Sequence, residues 1–274
     1  MSETKVAVIT GASSGIGMET ALAFARKGYA VVLAARRREP LEETAQRCRQ
    51  AGARGAMALP TDVADEAQVN ALVDAAAKQF GRIDVMVNNA GFGLNARVHE
   101  TTAQQMRRIF DVNFFGVFFG CKAVAPIMMS QRNGHIFNVS SVVGKRGSPL
   151  HGAYGAAKFA VCGLGDSMRV EMMDYGVRVT TVCPGLTDTE FFQHVEGGSH
   201  AHQSRFKAVR RLMPPAIVAR KIVSSVGKNR PQLVFTWGGK VLVAVSTLFP
   251  RLADRMMKLY YDDMIGHMTP PRGR

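Results

Sequence analysis

Two side chains in the second half of the chain have types and a spacing that suit proton exchange with an oxygen atom. Tyr154 and Lys158 are four residues apart in a stretch with helical periodicity, so they share one face of the predicted helix. A free tyrosine has a pKa of about 10, which is too high for ready proton exchange at neutral pH. Because a nearby ammonium favours the phenolate, we expect Lys158 to lower the pKa of Tyr154. Such a pair could protonate a carbonyl oxygen or deprotonate an alcohol.

A second candidate site follows the first apolar run of the chain. Lys5–Thr10 is β-branched and apolar, and the sequence TGASSGIG (10–17) leads from it into a stretch with helical spacing. Glycines at such a turn let the backbone approach a pyrophosphate, whose charge is stabilised at the helix N-terminus. The residues predicted to bind the dinucleotide here are Gly11, Ser13, Ser14, Gly15, Ile16 and Gly17. The alternative interpretation is a tight turn without a ligand.

Three arginines follow the second apolar run, which ends at Ala35. Proteins that bind the 2′-hydroxyl of NAD usually carry an acidic residue at this position, whereas a guanidinium can bind a 2′-phosphate through two hydrogen bonds. We therefore predict that Arg36 and Arg37 bind NADP(H) and that Arg38 is solvated. The alternative is that all three arginines lie in solvent.

Apolar strands and helical stretches alternate along the chain, which predicts the elements that position these residues. The predicted strands are Lys5–Thr10, Ala30–Ala35, Gly55–Pro60, Ile83–Asn88, Gly134–Ser140, Val177–Cys183 and Leu233–Thr236. The predicted helices are Gly15–Gly28, Pro40–Ala51, Glu66–Phe80, Ala103–Met129 and Tyr154–Tyr175. This alternation predicts an α/β fold with a doubly wound parallel sheet of the Rossmann type. We expect one catalytic domain over residues 1–237 and a helical, basic C-terminal extension over residues 238–274.

The motifs occur in an order that resembles one enzyme family. They are TGASSGIG (10–17), Asp62-Val63, Asn88-Asn89-Ala90-Gly91, Asn113, Ser141, Tyr154-x-x-x-Lys158 and Pro184-Gly185. This set, over roughly residues 5–190, closely resembles the short-chain dehydrogenase/reductase family. The resemblance implies hydride transfer between a nicotinamide and a carbonyl or alcohol. It also implies that Ser141 holds the substrate oxygen, that Lys158 binds the nicotinamide ribose, and that Asn113 places a water in a proton relay to Lys158.

The resemblance also implies further cofactor contacts. Asp62 and Val63 would contact the adenine. The loop Asn89, Ala90 and Gly91 would pass the adenine ribose. Pro184, Gly185, Thr187 and Thr189 would close over the nicotinamide carboxamide. Ser14 departs from the pattern, because many relatives that prefer NADP carry a basic residue there.

Loops after the fourth, fifth and sixth strands should form the substrate pocket, because ligands bind at the carboxyl ends of parallel strands. Those loops supply Phe92, Leu94, Val143, Leu150, Leu186, Phe191 and Phe192. They predict an apolar pocket for a lipophilic ketone, aldehyde or secondary alcohol, with no Arg or Lys aimed at an acidic group. The alternative is that some of these residues belong to the core. His194, His200 and His202 match no standard metal-site spacing, so we predict a loop at Glu196–Gln203 and no metal.

The four cysteines are widely scattered, and the N-terminus leads directly into an apolar strand without the pattern of a signal peptide. These features predict a reducing compartment, and hence the cytoplasm. The positive charge is concentrated in the tail. Residues 205–274 hold 14 of the 35 Lys and Arg residues but only three of the 21 acidic residues.

The tail combines an apolar run with a basic amphipathic stretch. Val241–Phe249 is too short to span a bilayer, which takes about 20 residues. Arg251–Tyr261 has one apolar helical stripe, and its basic residues fall largely off that stripe. The tail could pack on the domain, pack on a partner subunit, or lie on an anionic membrane as a peripheral contact. We expect it to cover the substrate pocket. No nucleic-acid binding is expected, because no aromatic and basic recognition motif accompanies the charge.

Two classes of function remain open. One is a working reductase or dehydrogenase, expected as a homodimer or homotetramer. The other is an NADP(H)-binding sensor or scaffold of the same fold with little turnover. The intact set of Asn113, Ser141, Tyr154 and Lys158 favours the enzyme.

Overall fold

The computed structural model describes residues 4–193, 195–196, 212–235 and 237–266. Seven strands form one sheet: β1 (Val6–Thr10), β2 (Ala30–Ala35), β3 (Gly55–Pro60), β4 (Val85–Asn88), β5 (Gly134–Val139), β6 (Val177–Cys183) and β7 (Gln232–Val234). All neighbouring strands are parallel, in the order β3-β2-β1-β4-β5-β6-β7. The predicted doubly wound sheet is therefore confirmed, and the strand order reverses between β1 and β4.

Helices cover both faces of this sheet. They are α1 (Gly15–Ala25), α2 (Arg38–Gln50), α3 (Glu66–Phe80), α4 (Ala103–Phe110), α5 (Gly116–Gln131), α6 (Gly152–Glu171), α7 (Pro215–Ser225), α8 (Trp237–Leu248) and α9 (Pro250–Gly266). The apolar faces of α1, α2 and α7 share one core with one face of the sheet, and those of α3, α5 and α6 share the other. Successive strand residues point to opposite faces, so Val6 and Val8 enter one core while Ala7 and Ile9 enter the other. Burial on both faces explains why the strands are continuous apolar runs.

The main differences from the predicted elements lie at their boundaries. Helix α2 begins at Arg38 rather than Pro40, because proline is tolerated in the first turn of a helix. The helix predicted over Ala103–Met129 extends to Gln131 and contains a π-helical turn at Asp111–Phe115. The seventh strand ends at Val234, earlier than predicted.

The stretch Ala103–Gln131 is long and apolar enough to cross a membrane by length and composition. Its buried side chains, which include Val117, Val124 and Met128, pack against the sheet. This packing is what the central helix of a globular core requires, so the stretch gives little support to a membrane span.

The C-terminal segment continues from β7 into two helices that contact each other, α8 and α9. His194, His200, His202 and the predicted loop after Glu196 lie outside the described residues, as does the side chain of Phe192.

Candidate active site

One cavity of 690 Å³ runs along the carboxyl edge of the sheet, where the strand order reverses. Ligands of open α/β sheets bind at this position. The predicted site residues that line it are Gly11, Ser13, Ser14, Gly15, Ile16, Arg36, Arg37, Asp62, Val63, Asn89, Ala90, Gly91, Ser141, Tyr154, Lys158, Pro184, Gly185, Thr187 and Thr189. Gly17 and Asn113 are not among the lining residues, and both are buried. Fold packing therefore brings almost the whole predicted set together.

The glycine loop is shaped by contacts that only glycine permits. Gly11 and Gly15 have φ angles of 65° and 56°, in the left-handed region. A Cβ atom on Gly17 would lie 2.1 Å from the Gly11 carbonyl oxygen, so any side chain there would push α1 away from the loop. Ser14 precedes α1, and its side chain makes no capping hydrogen bond among the described residues. The first N–H groups of α1 can therefore bind an anion in the cavity.

The end of β4 braces this loop. The Asn89 side-chain amide donates to the carbonyl oxygens of Thr10 and Gly11, at 2.9 and 3.2 Å. The Thr10 hydroxyl accepts from the main-chain N–H groups of Asn89 and Ala90, at 2.9 and 3.1 Å. The side chain of Asn89, predicted to lie beside the adenine ribose, therefore also holds the glycine loop against β4.

The three arginines after β2 have different environments. Arg37 forms an ion pair with Glu190 at 2.8 Å and also donates to the Ser13 hydroxyl at 3.4 Å. Arg38 is the exposed first residue of α2. Arg36 is exposed and lines the cavity directly after Ala35. Both Arg36 and Arg37 line the cavity at the end of β2, and of the two Arg37 is paired with Glu190.

Tyr154, Lys158 and Ser141 meet at the other end of the cavity. The Tyr154 hydroxyl is hydrogen-bonded to the Ser141 side chain. The Lys158 ammonium donates to the Val139 carbonyl oxygen at 2.9 Å and lies 5.8 Å from the centre of the Tyr154 ring. The neighbouring Ser140 is buried, and its hydroxyl donates to the Lys158 carbonyl oxygen at 2.8 Å. Both serines line the cavity, but the Ser140 hydroxyl is bonded to α6, whereas the Ser141 hydroxyl is bonded to Tyr154.

The proton affinities of these groups correct one expectation. Burial raises the pKa of Tyr154 to about 12, although the hydrogen bond from Ser141 acts to lower it. Burial also lowers the pKa of Lys158 from 10.5 to about 8. The expected lowering of the Tyr154 pKa by Lys158 is therefore not found in this structure. Desolvation outweighs an ammonium that lies beside the ring and is bound to a carbonyl group.

Asn113 lies in the π-helical turn, and its side chain is fully buried. Its amide oxygen accepts from the Phe92 N–H at 3.0 Å, and its amide nitrogen donates to the Phe92 carbonyl at 2.8 Å. Both polar atoms therefore hold the loop after β4. A water relay to Lys158 would have to use the main-chain carbonyl of Asn113, since a π turn disturbs the regular helical hydrogen bonds. No motif or spacing in the sequence predicted the contact with Phe92.

The substrate end of the cavity is less uniformly apolar than expected. Phe92, Val143, Leu186 and Phe191 line it as expected. Leu94 belongs to a small core cluster, and Leu150 is not among the lining residues. The polar side chains of Arg146, Ser148 and His151 also line the cavity, which the sequence analysis did not predict. Arg146 is paired with Asp254 of α9, which the sequence could not show.

Helix α9 closes this end of the cavity. Met256, Met257 and Tyr260 all line it, although they are about 100 residues from Tyr154 in sequence. The tail therefore lies over the pocket, as expected. Among the described residues, no group of three or more His, Cys, Asp or Glu side chains could hold a metal ion.

Comparison with known proteins agrees with this geometry. The family profile for short chain dehydrogenases matches residues 5–198. The chain belongs to the short-chain dehydrogenase/reductase family. An uncharacterised oxidoreductase of Bacillus subtilis is 33% identical over 273 residues, which cover 98% of this chain and 76% of the relative.

A more closely matching stretch is found in the 2-(R)-hydroxypropyl-CoM dehydrogenase of Xanthobacter autotrophicus. It is 40% identical over 193 residues, which cover 69% of this chain and 77% of that enzyme. Among solved structures, a short-chain dehydrogenase/reductase of Burkholderia phymatum in complex with NAD has a TM-score of 0.83 and 30% identity, covering 91% of this chain and 95% of that one. This member of the family is therefore an oxidoreductase of the class that acts on alcohols and carbonyls with a nicotinamide cofactor.

Proposed function

We propose that this protein is an NADP(H)-dependent oxidoreductase that transfers a hydride between the nicotinamide and a lipophilic ketone, aldehyde or secondary alcohol. One observation carries the proposal. The hydrogen-bonded pair of Tyr154 and Ser141 and the open N-terminus of α1 lie at two ends of one cavity. A dinucleotide bound along that cavity would hold its phosphates at the helix and its reacting ring beside the tyrosine.

The preference for NADP(H) rests on Arg36. It lines the cavity directly after Ala35, the position at which NAD-binding proteins usually carry an acidic residue, and Glu190 forms an ion pair with its neighbour Arg37. A guanidinium at this point favours a 2′-phosphate. The Burkholderia structure contains NAD, so likeness of fold leaves the choice of cofactor open and the argument depends on this residue.

The bound cofactor would supply or accept the hydride, and the side chains of this chain would manage the proton. Ser141 and Tyr154 would hold the substrate oxygen, and in reduction the Tyr154 hydroxyl would give its proton to that oxygen. Because burial raises the pKa of Tyr154 to about 12, the hydroxyl keeps its proton at neutral pH, as an acid must. Lys158 has a pKa of about 8 and would present its ammonium to the cofactor ribose below that pH.

This protonation state favours reduction at neutral pH. The reverse oxidation requires the phenolate of Tyr154, and the population of the phenolate rises with pH up to its pKa. We therefore expect the rate of alcohol oxidation to increase steadily from about pH 7 to about pH 9, while the rate of carbonyl reduction does not. Initial rates in both directions across this range measure the effect. Parallel profiles in the two directions would contradict the assignment of Tyr154.

Turnover separates the enzyme from the sensor or scaffold alternative. NADPH absorbance loss with a panel of lipophilic carbonyl compounds should detect reduction. Tyr154→Phe should lower kcat by about 10²- to 10⁴-fold with little change in NADPH affinity, because the hydroxyl is needed only in the chemical step. Tyr175→Phe, at a residue on the protein surface, is the matched control. Near-normal turnover in purified Tyr154→Phe would refute the mechanism, and NADPH binding without any turnover in the wild type would support the sensor.

Exposed apolar side chains on the catalytic domain bear on how the protein assembles. We propose a homodimer or homotetramer, supported by the exposed apolar side chains of Phe115, Phe159, Val170 and Met173 on the α5–α6 side. Light scattering of the purified protein tests this oligomeric state.

A cytoplasmic location is supported by the four cysteines, which are all buried as free thiols.

A further inference from the structure

The cavity contains one strongly basic side chain that the proposed proton transfer does not use. Arg146 follows the short helical turn Val142–Gly144, which begins directly after Ser141, and its main-chain N–H donates to the Val142 carbonyl oxygen at 3.3 Å. The side chain of Arg146 is 21% exposed, and Arg146 lines the same cavity as Ser141 and Tyr154. Arg146 therefore lies close in the fold to the residue proposed to hold the substrate oxygen.

The charged residues that line the cavity are unevenly distributed. Asp62 is the only acidic residue among the described lining residues, and it follows β3, at the end predicted to hold the adenine. At the substrate end, Arg146 and Lys158 are basic, and the Lys158 ammonium is already bound to the Val139 carbonyl oxygen. A guanidinium keeps its charge at every physiological pH. The substrate end therefore carries a permanent positive charge, and no described lining residue there supplies a carboxylate.

The ion-pair partner of Arg146 is a carboxylate outside the cavity lining. Asp254 of α9 accepts a hydrogen bond from Nη2 of Arg146, and the side chain of Asp254 is 69% exposed. Nε of Arg146 is buried and has no acceptor among the described residues. Because a guanidinium can bind a carboxylate through two parallel hydrogen bonds, Asp254 uses only part of the binding capacity of Arg146.

We propose that Arg146 binds a carboxylate of the substrate, so that the substrate is a lipophilic oxo acid or the corresponding hydroxy acid. This substrate class rests on the proposed function, because it concerns the same site. The Asp254 carboxylate marks the position that the substrate carboxylate would take. An ion pair whose acidic side chain lies largely in water contributes little to stability, so a substrate carboxylate can displace Asp254 from Arg146 at small cost.

The residues that share the cavity with Arg146 suit a molecule with one acidic end and an apolar body. Ser148 and His151 lie on the same segment between β5 and α6 and give the cavity further polar groups. Met256 and Met257 line the cavity from α9, within one helical turn of the residue paired with Arg146. The guanidinium would hold the carboxylate, the methionines would contact the apolar body, and the catalytic serine and tyrosine would hold the carbonyl oxygen.

Steady-state kinetics with matched substrates tests the carboxylate site in the purified full-length chain. The probes are aliphatic methyl ketones of graded chain length that end in a carboxylate, together with the methyl ester of each, at saturating reduced cofactor. For the wild type, we expect the best acid to have a kcat/KM at least about tenfold above that of its ester. Arg146→Met keeps an unbranched side chain but removes the charge. It should raise KM for the acid by at least about tenfold and leave KM for the ester within about twofold.

Asp254→Asn distinguishes a substrate site from an ion pair that only holds α9. Asparagine removes the competing negative charge, so this variant should lower KM for the acid by about threefold and leave KM for the ester unchanged. If the pair only holds α9 over the cavity, Arg146→Met and Asp254→Asn should change acid and ester alike and in the same direction, which would overturn the proposal.

Matched controls come from an exposed ion pair between α3 and α5. Lys122→Met and Glu66→Gln break a contact of 2.8 Å between side chains that do not line the cavity. Both variants should leave KM for the acid and for the ester unchanged. Circular dichroism and thermal unfolding should show that all four variants are folded.

The carboxylate site and the proposed reaction can fail separately. Isothermal titration of each acid and each ester into the protein with saturating NADP⁺ measures binding without a chemical step. Turnover of acids and esters with equal kcat/KM would refute the carboxylate site and leave the proposed reaction standing. Binding of the acids that Arg146→Met abolishes, without turnover of any ketone, would refute the proposed reaction and leave the carboxylate site. Equal binding of acids and esters, or binding of neither, would overturn the carboxylate site.

Discussion

His135 offers a test of the fold through its pH dependence. Its imidazole is buried on β5, where Nδ1 accepts from the Gly227 N–H at 3.2 Å and Nε2 lies 2.8 Å from the Thr180 hydroxyl. A main-chain N–H can only donate, so Nε2 carries the proton and donates to Thr180. Thr180 in turn donates to the Arg230 carbonyl at 2.6 Å. The ring is therefore held in its neutral form, with both nitrogens satisfied.

The magnitude follows from the proton affinity of this ring. Burial, with a smaller contribution from the charge of Arg178, lowers the pKa of His135 from 6.5 to about 3. Above pH 6.5 the ring is neutral in both the folded and unfolded chains. Below it the unfolded chain binds a proton that the folded chain cannot, so stability is lost as the pH falls from about 6.5 toward 3. Each pH unit below about 6.5 lowers the free energy of unfolding by about 1.4 kcal/mol, which gives a loss of about 2 to 3 kcal/mol by about pH 4.5.

Urea unfolding of wild type and His135→Gln at about pH 6.5 and about pH 4.5 measures this loss. Glutamine stays neutral, so the variant should be less stable at the higher pH but lose about 2 to 3 kcal/mol less on acidification. His99→Gln is the matched control, because the His99 side chain is 77% exposed and its contact with Glu100, at 3.7 Å, lies at the surface. It should behave as the wild type does. An equal loss on acidification in wild type and His135→Gln would refute the reasoning.

Three further substitutions test the site. Arg36→Ala should weaken NADPH binding by at least about tenfold, or about 1.4 kcal/mol, and leave NADH binding unchanged, whereas Arg38→Ala should change the binding of neither cofactor. Fluorescence titration measures both affinities, and equal affinities for NADPH and NADH in the wild type would contradict the prediction. Gly17→Ala should destabilise the fold by about 1 to 3 kcal/mol, because its Cβ would overlap the carbonyl of the glycine loop. Gly163→Ala on α6, where a Cβ would meet open space, should not destabilise the fold, and thermal unfolding of the two variants distinguishes them. Asn113→Ala leaves two main-chain groups unpaired inside the protein and should lower both stability and kcat; unchanged values for both would remove its role in holding the loop after β4.

Local sequence determined the elements and the two ends of the active site. The glycine loop was predictable because its conformation depends on neighbouring residues: glycine where φ is positive, and a helix that starts directly after it. The shared face of Tyr154 and Lys158 was predictable because four residues make about one helical turn. The parallel sheet followed from continuous apolar runs, which require cover on both faces. The resemblance implied a role for Ser141, and the structure shows that a hydrogen bond commits its neighbour Ser140 to α6.

Only the tertiary structure decided the properties that depend on distance between remote segments. Burial raises the pKa of Tyr154, against the lowering expected from Lys158 alone, because desolvation depends on every segment that surrounds the ring. Arg146 enters the cavity, and Met257 and Tyr260 close it, because α9 packs back over a site formed about 100 residues earlier. Sequence spacing sets geometry within one helix or turn, where the backbone fixes the distances. It does not set which side chains meet across separate elements, since those contacts form only when the cores pack.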